Sequence, residues 1–315
     1  MGKIDNTVAT VFRNLAITKQ LNFLLGSGTS LPAIPLMGNL TNEDLLNKVC
    51  SISQDILKDK SENESVNYTQ NIYNNFIQTI IDLLNLSNSR QAPKNINIFT
   101  TNYDLFVEKA IDNVAQNNRF VFNDGASGYF QKILDSTNYN RTVSYRGLNN
   151  NYLNEMPSIS LIKPHGSVNW IRKNEDIRIL TEVSSKPVIV PPTGFEAEET
   201  FLQNHFYEML RIFQLELDKP QSVLFVIGFS FQDKHIGKMV KRALQNPELI
   251  VYVFGYSNDD REKILSNLDL KKERMNFRIV TPKDISNKVD LNITLNCLTS
   301  VLSGTFTEES LDDDE

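Results

Sequence analysis

Two cysteines, Cys50 and Cys297, stand far apart in a chain of 315 residues. That scarcity excludes both a disulfide framework and a four-cysteine zinc site. A surplus of basic charge is lacking too. The formal net charge of -6 at pH 7 argues against a chain that coats nucleic acid unaided, so no direct nucleic-acid binding is expected. The densest basic group, Lys271, Lys272 and Arg274 with Glu273 among them, reads as a solvated helix face. No apolar run is long enough to span a membrane, and the first residues lack the apolar stretch of a signal peptide. A cytoplasmic location is therefore expected. What is present, 40% hydrophobic and 22% charged residues, is ordinary globular composition, enough for one large α/β domain with insertions or two small domains.

Short β-branched and apolar runs alternate with helical patterns, which predicts a Rossmann-like parallel sheet with crossover helices. The expected strands are Asn22–Leu25, Ile96–Phe99, Ile159–Ile162, Val188–Val190, Val223–Ile227, Ile250–Phe254 and Phe277–Val280. Each is nearly continuous in apolar character, as strands covered on both faces are. Thr41-Asn42-Glu43-Asp44 resembles a capping box, and Leu45, Val49, Ile52 and Ile56 follow it at helical spacing. A second helix would show Tyr68, Ile72, Phe76, Ile80 and Leu83/Leu84 on one face, after a polar loop from Asp59 to Asn67. Residues of about 36–93 thus read as an inserted helical layer. Residues of about 123–156 read as an irregular insertion rich in Asn, Ser, Gly and Tyr, and 303–315 as an acidic disordered tail. Later helices are expected at Glu196–Leu217, Lys234–Gln245 and Asp259–Leu268.

Four expected strands run directly into residues that could carry chemistry, and the carboxyl ends of strands are where an open α/β sheet meets its ligand. The first is Gly26-Ser27-Gly28-Thr29-Ser30, read either as a tight turn or as glycines that let backbone N–H groups approach a pyrophosphate. No lysine of the P-loop kind follows it. The second is Thr101-Asn102-Tyr103-Asp104, where Asp104 either caps the next helix or faces a ligand, and Asn102 offers both a donor and an acceptor. The third is Lys163-Pro164-His165-Gly166-Ser167-Val168-Asn169-Trp170. His165, one of three histidines, is a structural hydrogen-bonding group or a base, and Gly166 permits close approach of a ligand. The fourth is Gly228-Phe229-Ser230-Phe231-Gln232-Asp233-Lys234-His235, a turn suited to a ribose or phosphate, with Asp233 a candidate helix cap.

These four motifs, in this order, resemble the sirtuin family. The third and fourth resemble the sirtuin-like bacterial branch found in anti-phage defence systems, and the likeness spans about Phe23 to Val280. The resemblance implies NAD as substrate and no metal. It gives the pyrophosphate to Gly26, Ser27, Gly28 and Ser30, a ribose hydroxyl or the attacking water to Asn102, and the nicotinamide carboxamide to Asp104. His165 becomes the general base, and Gly228 and Ser230 line the phosphate and adenosine-ribose end. The zinc ribbon of deacetylating sirtuins has no counterpart here, and their Gly-Ile-Pro-Asp-Phe-Arg stretch is reduced to Ala33-Ile34-Pro35-Leu36-Met37-Gly38. NAD hydrolysis is therefore the expected activity. ADP-ribosyl transfer or deacylation, and a sensor of NAD or ADP-ribose without turnover, are the alternatives. The resemblance also implies a homo-oligomer and, as a possible partner, a DNA-translocating ATPase of the HerA type.

Overall fold

The computed structural model describes residues 6–36, 38, 40–58, 61–86, 94–145, 155–191, 204–285 and 292–305. In chain order, its strands begin with β1 (Gln20–Leu25), β2 (Asn95–Thr100), β3 (Val121–Asn123), β4 (Ala126–Ser127) and β5 (Lys132–Leu134). Next come β6 (Ser158–Ile162), β7 (Gly166–Ser167), β8 (Trp170–Lys173), β9 (Asp176–Ile179) and β10 (Val188–Ile189). The last are β11 (Ser222–Ile227), β12 (Ile250–Phe254) and β13 (Phe277–Val280). A seven-stranded sheet runs in the order β13-β12-β11-β1-β2-β6-β3, with every neighbouring pair parallel.

Both faces of this sheet are buried, which is why its strands read as unbroken apolar runs. Leu21, Phe23 and Leu25 of β1 point into one core, and Leu24 into the other, as a period of two demands. The first core is closed by helices Asn6–Thr18, Asn42–Ile56, Glu64–Leu86, Phe106–Ala115 and Leu295–Ser303. The second is closed by Asn204–Asp218, Lys234–Ala243 and Asp260–Asn267. Phe23, fully buried, meets the rings of Phe76 at 5.1 Å and Phe225 at 5.7 Å. Truncating such a side chain to alanine costs about 3–5 kcal/mol.

Register matters to the site, and a buried polar ladder fixes it. Asn97 donates to Asn22 at 2.8 Å and Asn22 to Ser222 at 2.9 Å, across β2, β1 and β11. A slip of one residue would orphan these groups and turn the apolar set over. In the register observed, Leu25 lies beside both Thr100 and Ile227, so three strand-end loops leave the sheet at one level.

Several expectations need correction. Val188–Val190 does not join the parallel sheet: β10 pairs antiparallel with β7, immediately after His165. The remaining place is taken by β3, at the start of the stretch read as irregular. Inside that stretch, β4 and β5 pair antiparallel and continue through β9 to β8 as a four-stranded sheet. Strands of two or three residues, broken by Gly125 and Gly128 at positive φ, are too short to show a period of two. Tyr68 is exposed, and Tyr73 and Ile77 take buried places on the helix Glu64–Leu86, which begins inside the expected polar loop. Thr41 does cap its helix, accepting from the Asp44 amide. Residues 146–154 of the irregular insertion, 192–203 before the helix Asn204–Asp218, 87–93 at the end of the helical layer and 306–315 of the acidic tail lie outside the described residues.

Candidate active site

The loops after β1, β2, β6 and β11 converge on one cavity of about 670 Å³, within the size range of small-molecule sites. Ser27, Ser30, Asn102, Asp104, His165 and Ser230 all line it. Gly26, Gly28 and Gly228 do not. They bring the β1 and β11 loops into backbone contact: the Gly28 amide donates to the Gly228 carbonyl at 3.0 Å. A Cβ on Gly28 would sit 2.9 Å from the Gly228 Cα, and one on Gly228, whose φ is 64°, 2.6 Å from the Thr29 nitrogen. The close approach that needs these glycines is that of protein to protein.

Asn102 is 8% exposed and secures the β1 loop from the β2 side. Its Nδ2 donates to the Gly26 carbonyl at 3.0 Å and to Ser30 Oγ at 3.1 Å, while its Oδ1 has no protein partner among the described residues. Ser30 passes the connection on, donating to Asp104 Oδ2 at 2.8 Å. The other oxygen of Asp104 accepts the Phe106 amide at 3.2 Å; the N-cap of the helix Phe106–Ala115 is Leu105, not Asp104, and Asp104 lines the cavity. Burial raises the Asp104 carboxyl above its ordinary value, and the Lys163 ammonium works against that shift. Beneath the loop, the buried Tyr73 hydroxyl bonds Thr29 Oγ1 at 2.8 Å, which ties the helical layer to the site.

His165 Nε2 lies 3.1 Å from Asp233 Oδ2, an oxygen that accepts no hydrogen bond among the described residues. Asp233 Oδ1 accepts from the His235 and Ile236 amides at 2.8 and 3.2 Å. The cap expected from sequence is therefore real, and one carboxylate serves the helix and the histidine together. Burial alone would raise the Asp233 pKa; the His165 imidazole and the capped amides outweigh it and hold the group below its ordinary value. Gly166 needs correction, since it does not give a ligand access. Its φ is 87°, and a Cβ there would collide with the Val188 carbonyl of β10. The β10 strand in turn holds the histidine loop, its neighbour Val190 donating to the His165 carbonyl at 2.9 Å.

Three residues of this region escaped the sequence reading. Asp233 was visible as a cap but not as the partner of His165. Tyr73 was hidden in a helical face of apolar residues. Lys163, 2% exposed, was passed over although a lysine closing a buried strand is itself a signal. Its Nζ donates to Glu108 Oε1 at 2.8 Å and Ser167 Oγ at 3.0 Å, and to the Asp104 carbonyl, joining the β6 loop to the β2 loop.

The cavity thus holds a histidine with an orienting carboxylate, an amide with a free oxygen, and an apolar wall of Ile34, Pro35, Leu45 and Val49. No group of three or more side chains that could hold a metal ion occurs among the described residues. No helix among them is long and apolar enough to cross a membrane. Compared with known families, residues 96–277, more than half of the chain, match the SIR2-like domain. No curated protein matches the chain. The matched span contains Asn102, Asp104, His165, Gly228 and Ser230, and leaves Gly26, Ser27, Gly28 and Ser30 outside.

Proposed function

Because the chain belongs to the SIR2-like domain family, whose members use NAD, we propose that it hydrolyses NAD to nicotinamide and ADP-ribose. The observation that carries this reading is the pair Asn102 and His165 lining one cavity, with Asp233 fixed 3.1 Å behind the histidine. The bond from C1′ of the ribose to the pyridinium nitrogen breaks, and its electron pair leaves with nicotinamide, which departs neutral and needs no general acid. The oxygen of water forms the new bond to C1′. Asp233 beside Nε2 favours a proton on that nitrogen, which leaves Nδ1 to take the proton from water and pass it to solvent. Asn102 Oδ1 orients the water or a ribose hydroxyl, and the apolar wall keeps other water out.

On the same reading the chain is the NAD-depleting effector of an anti-phage defence system, acting as a homo-oligomer or beside a HerA-type ATPase, as its resemblance to the defence branch implies. The test is nicotinamide release from NAD by the purified chain, alone and with its genomic-neighbour protein. His165→Ala is expected to lower turnover about a hundredfold or more while changing NAD affinity little, and Asn102→Ala to abolish turnover. No nicotinamide release under either condition, or a wild-type rate in folded His165→Ala, would overturn the proposal.

A further inference from the structure

We propose that Tyr73 is a positioning residue for Asn102: its hydroxyl fixes the side-chain amide so that Oδ1 is the atom left to the cavity. The inference rests on the NAD reading for the task of Asn102 and adds the residue that aims it.

Asn102 Nδ2 has two protons to give and three acceptors within reach. They are the Gly26 carbonyl at 3.0 Å, Ser30 Oγ at 3.1 Å and Thr29 Oγ1 at 3.3 Å. The two hydroxyls among them have already placed their own protons. Thr29 Oγ1 donates to the Gly26 carbonyl at 2.7 Å, and Ser30 Oγ to Asp104 Oδ2 at 2.8 Å. Tyr73 Oη stands 2.8 Å from Thr29 Oγ1 and 3.2 Å from Ser30 Oγ. Facing two hydroxyls whose protons are spent, it has to donate, and the shorter contact puts its proton on Thr29. Thr29 Oγ1 is thereby filled. The Asn102 protons go to the Gly26 carbonyl and Ser30 Oγ, which holds the amide nitrogen inward.

Packing fixes where that proton stands. The Tyr73 ring is fully buried and stacked on Phe106, with centroids 5.3 Å apart and planes 5° from parallel. Burial first, and then the charge of Asp104, raises the phenol well above its ordinary pKa against the hydrogen bonds of Ser30, Thr29 and Asn102. The group therefore stays protonated at neutral pH and serves as a donor. A phenylalanine would fill the same place and keep the stack, so packing alone does not call for the hydroxyl. Without its proton, Thr29 Oγ1 opens as a third acceptor, and the amide turns toward it at the expense of Ser30.

Tyr73→Phe in the full chain is read in two ways. The side-chain amide signal of Asn102, in protein labelled with nitrogen-15 asparagine and assigned by its loss in Asn102→Ala, should shift. Its two protons should exchange with solvent about tenfold faster than in the wild type. Nicotinamide release, alone and with the genomic-neighbour protein, should show kcat about tenfold lower and KM within about twofold, since the amide acts in the transition state. Adding Thr29→Val deletes the competing acceptor, so the double variant should regain most of the lost kcat. A merely structural tyrosine would make the two losses add. An Asn102 signal unchanged by Tyr73→Phe, or a double variant slower than Tyr73→Phe, overturns the positioning role. No nicotinamide release from the wild type under either condition overturns NAD hydrolysis instead, and the Asn102 signal then decides the role of Tyr73. A moved signal with a wild-type rate keeps the positioning and removes Asn102 from the reaction.

Discussion

Replacing Lys163 by methionine keeps the length and apolar stem of the side chain and removes only its charge and three donors. The ammonium is 2% exposed and bonds Glu108 at 2.8 Å. Losing it leaves the Glu108 carboxylate without its partner, and the second oxygen of that carboxylate, Oε2, already has none among the described residues. Breaking a buried ion pair from one side costs about 3–5 kcal/mol. Glu108 keeps 24% of its side chain exposed, and burial already raises its pKa against the pull of Lys163, so hydration and protonation relieve part of the loss. About 2–3 kcal/mol is the expected destabilisation, or about 3–5 °C in melting temperature for a chain of this size. Urea denaturation followed by circular dichroism reads the first number and thermal denaturation the second. Adding Glu108→Gln to Lys163→Met should recover about half of the loss, because the stranded charge is its main cause. A melting temperature within about 1 °C of the wild type for Lys163→Met would refute the argument that this lysine clamps the two loops.

Gly166→Ala should destabilise the chain by about 1–3 kcal/mol, from the positive φ and the Val188 carbonyl together. Gly237→Ala, a helical glycine whose Cβ would find its nearest neighbour at 3.5 Å, should be neutral or stabilising, and equal losses in the two variants would count against the explanation. For Asp233→Asn the amide keeps the helix cap and loses the charge beside His165, so turnover should fall while the fold holds; a wild-type rate would argue against the pairing. Its pH dependence has a definite sign. A carboxyl held below its ordinary value of 3.8 contributes stability above that pH and loses it as pH falls through the folded value. The stability gap between wild type and Asp233→Asn should therefore be widest near neutrality and close below about pH 4, read from urea midpoints across pH.

The central strands were legible because burial on both faces leaves an unbroken apolar run, as in Val223–Ile227 within β11. β3 was not, since Val121–Asn123 is three residues long and carries no period. Val188 and Ile189 have the composition of a sheet strand, yet their partner is the Gly166–Ser167 backbone, and no local pattern announces a tertiary pairing. The helix Leu295–Ser303 could have been read from Thr294 as its cap and Leu295, Leu298, Val301 and Leu302 on one face. In the candidate site, sequence pointed to the strand ends, because topology places ligand contacts there. It missed Lys163 with Glu108, and Asp233 with His165, because each pair meets only when separate strands stand side by side. The glycines carried a readable requirement for close approach, but not the identity of what approaches.

The span that matches the SIR2-like domain begins at residue 96, so the glycine loop after β1 lies outside it. Tyr73, also outside the span, bonds the loop's Thr29 hydroxyl, but most of the loop's other contacts come from inside the span. The Gly228 carbonyl holds the Gly28 amide, Asn102 Nδ2 holds the Gly26 carbonyl and Ser30 Oγ, and Asp104 takes the Ser30 hydroxyl. Each contact from inside the span uses a group whose position follows from the ends of β2 and β11. The loop after β1 therefore needs only glycine where the β11 backbone crosses and small hydroxyl side chains where Asn102 and Asp104 reach it. A wall of the cavity can be built to that specification by a short stretch of Gly, Ser and Thr, while Asn102 and His165, to which the proposed mechanism gives water orientation and proton transfer, lie within the matched span.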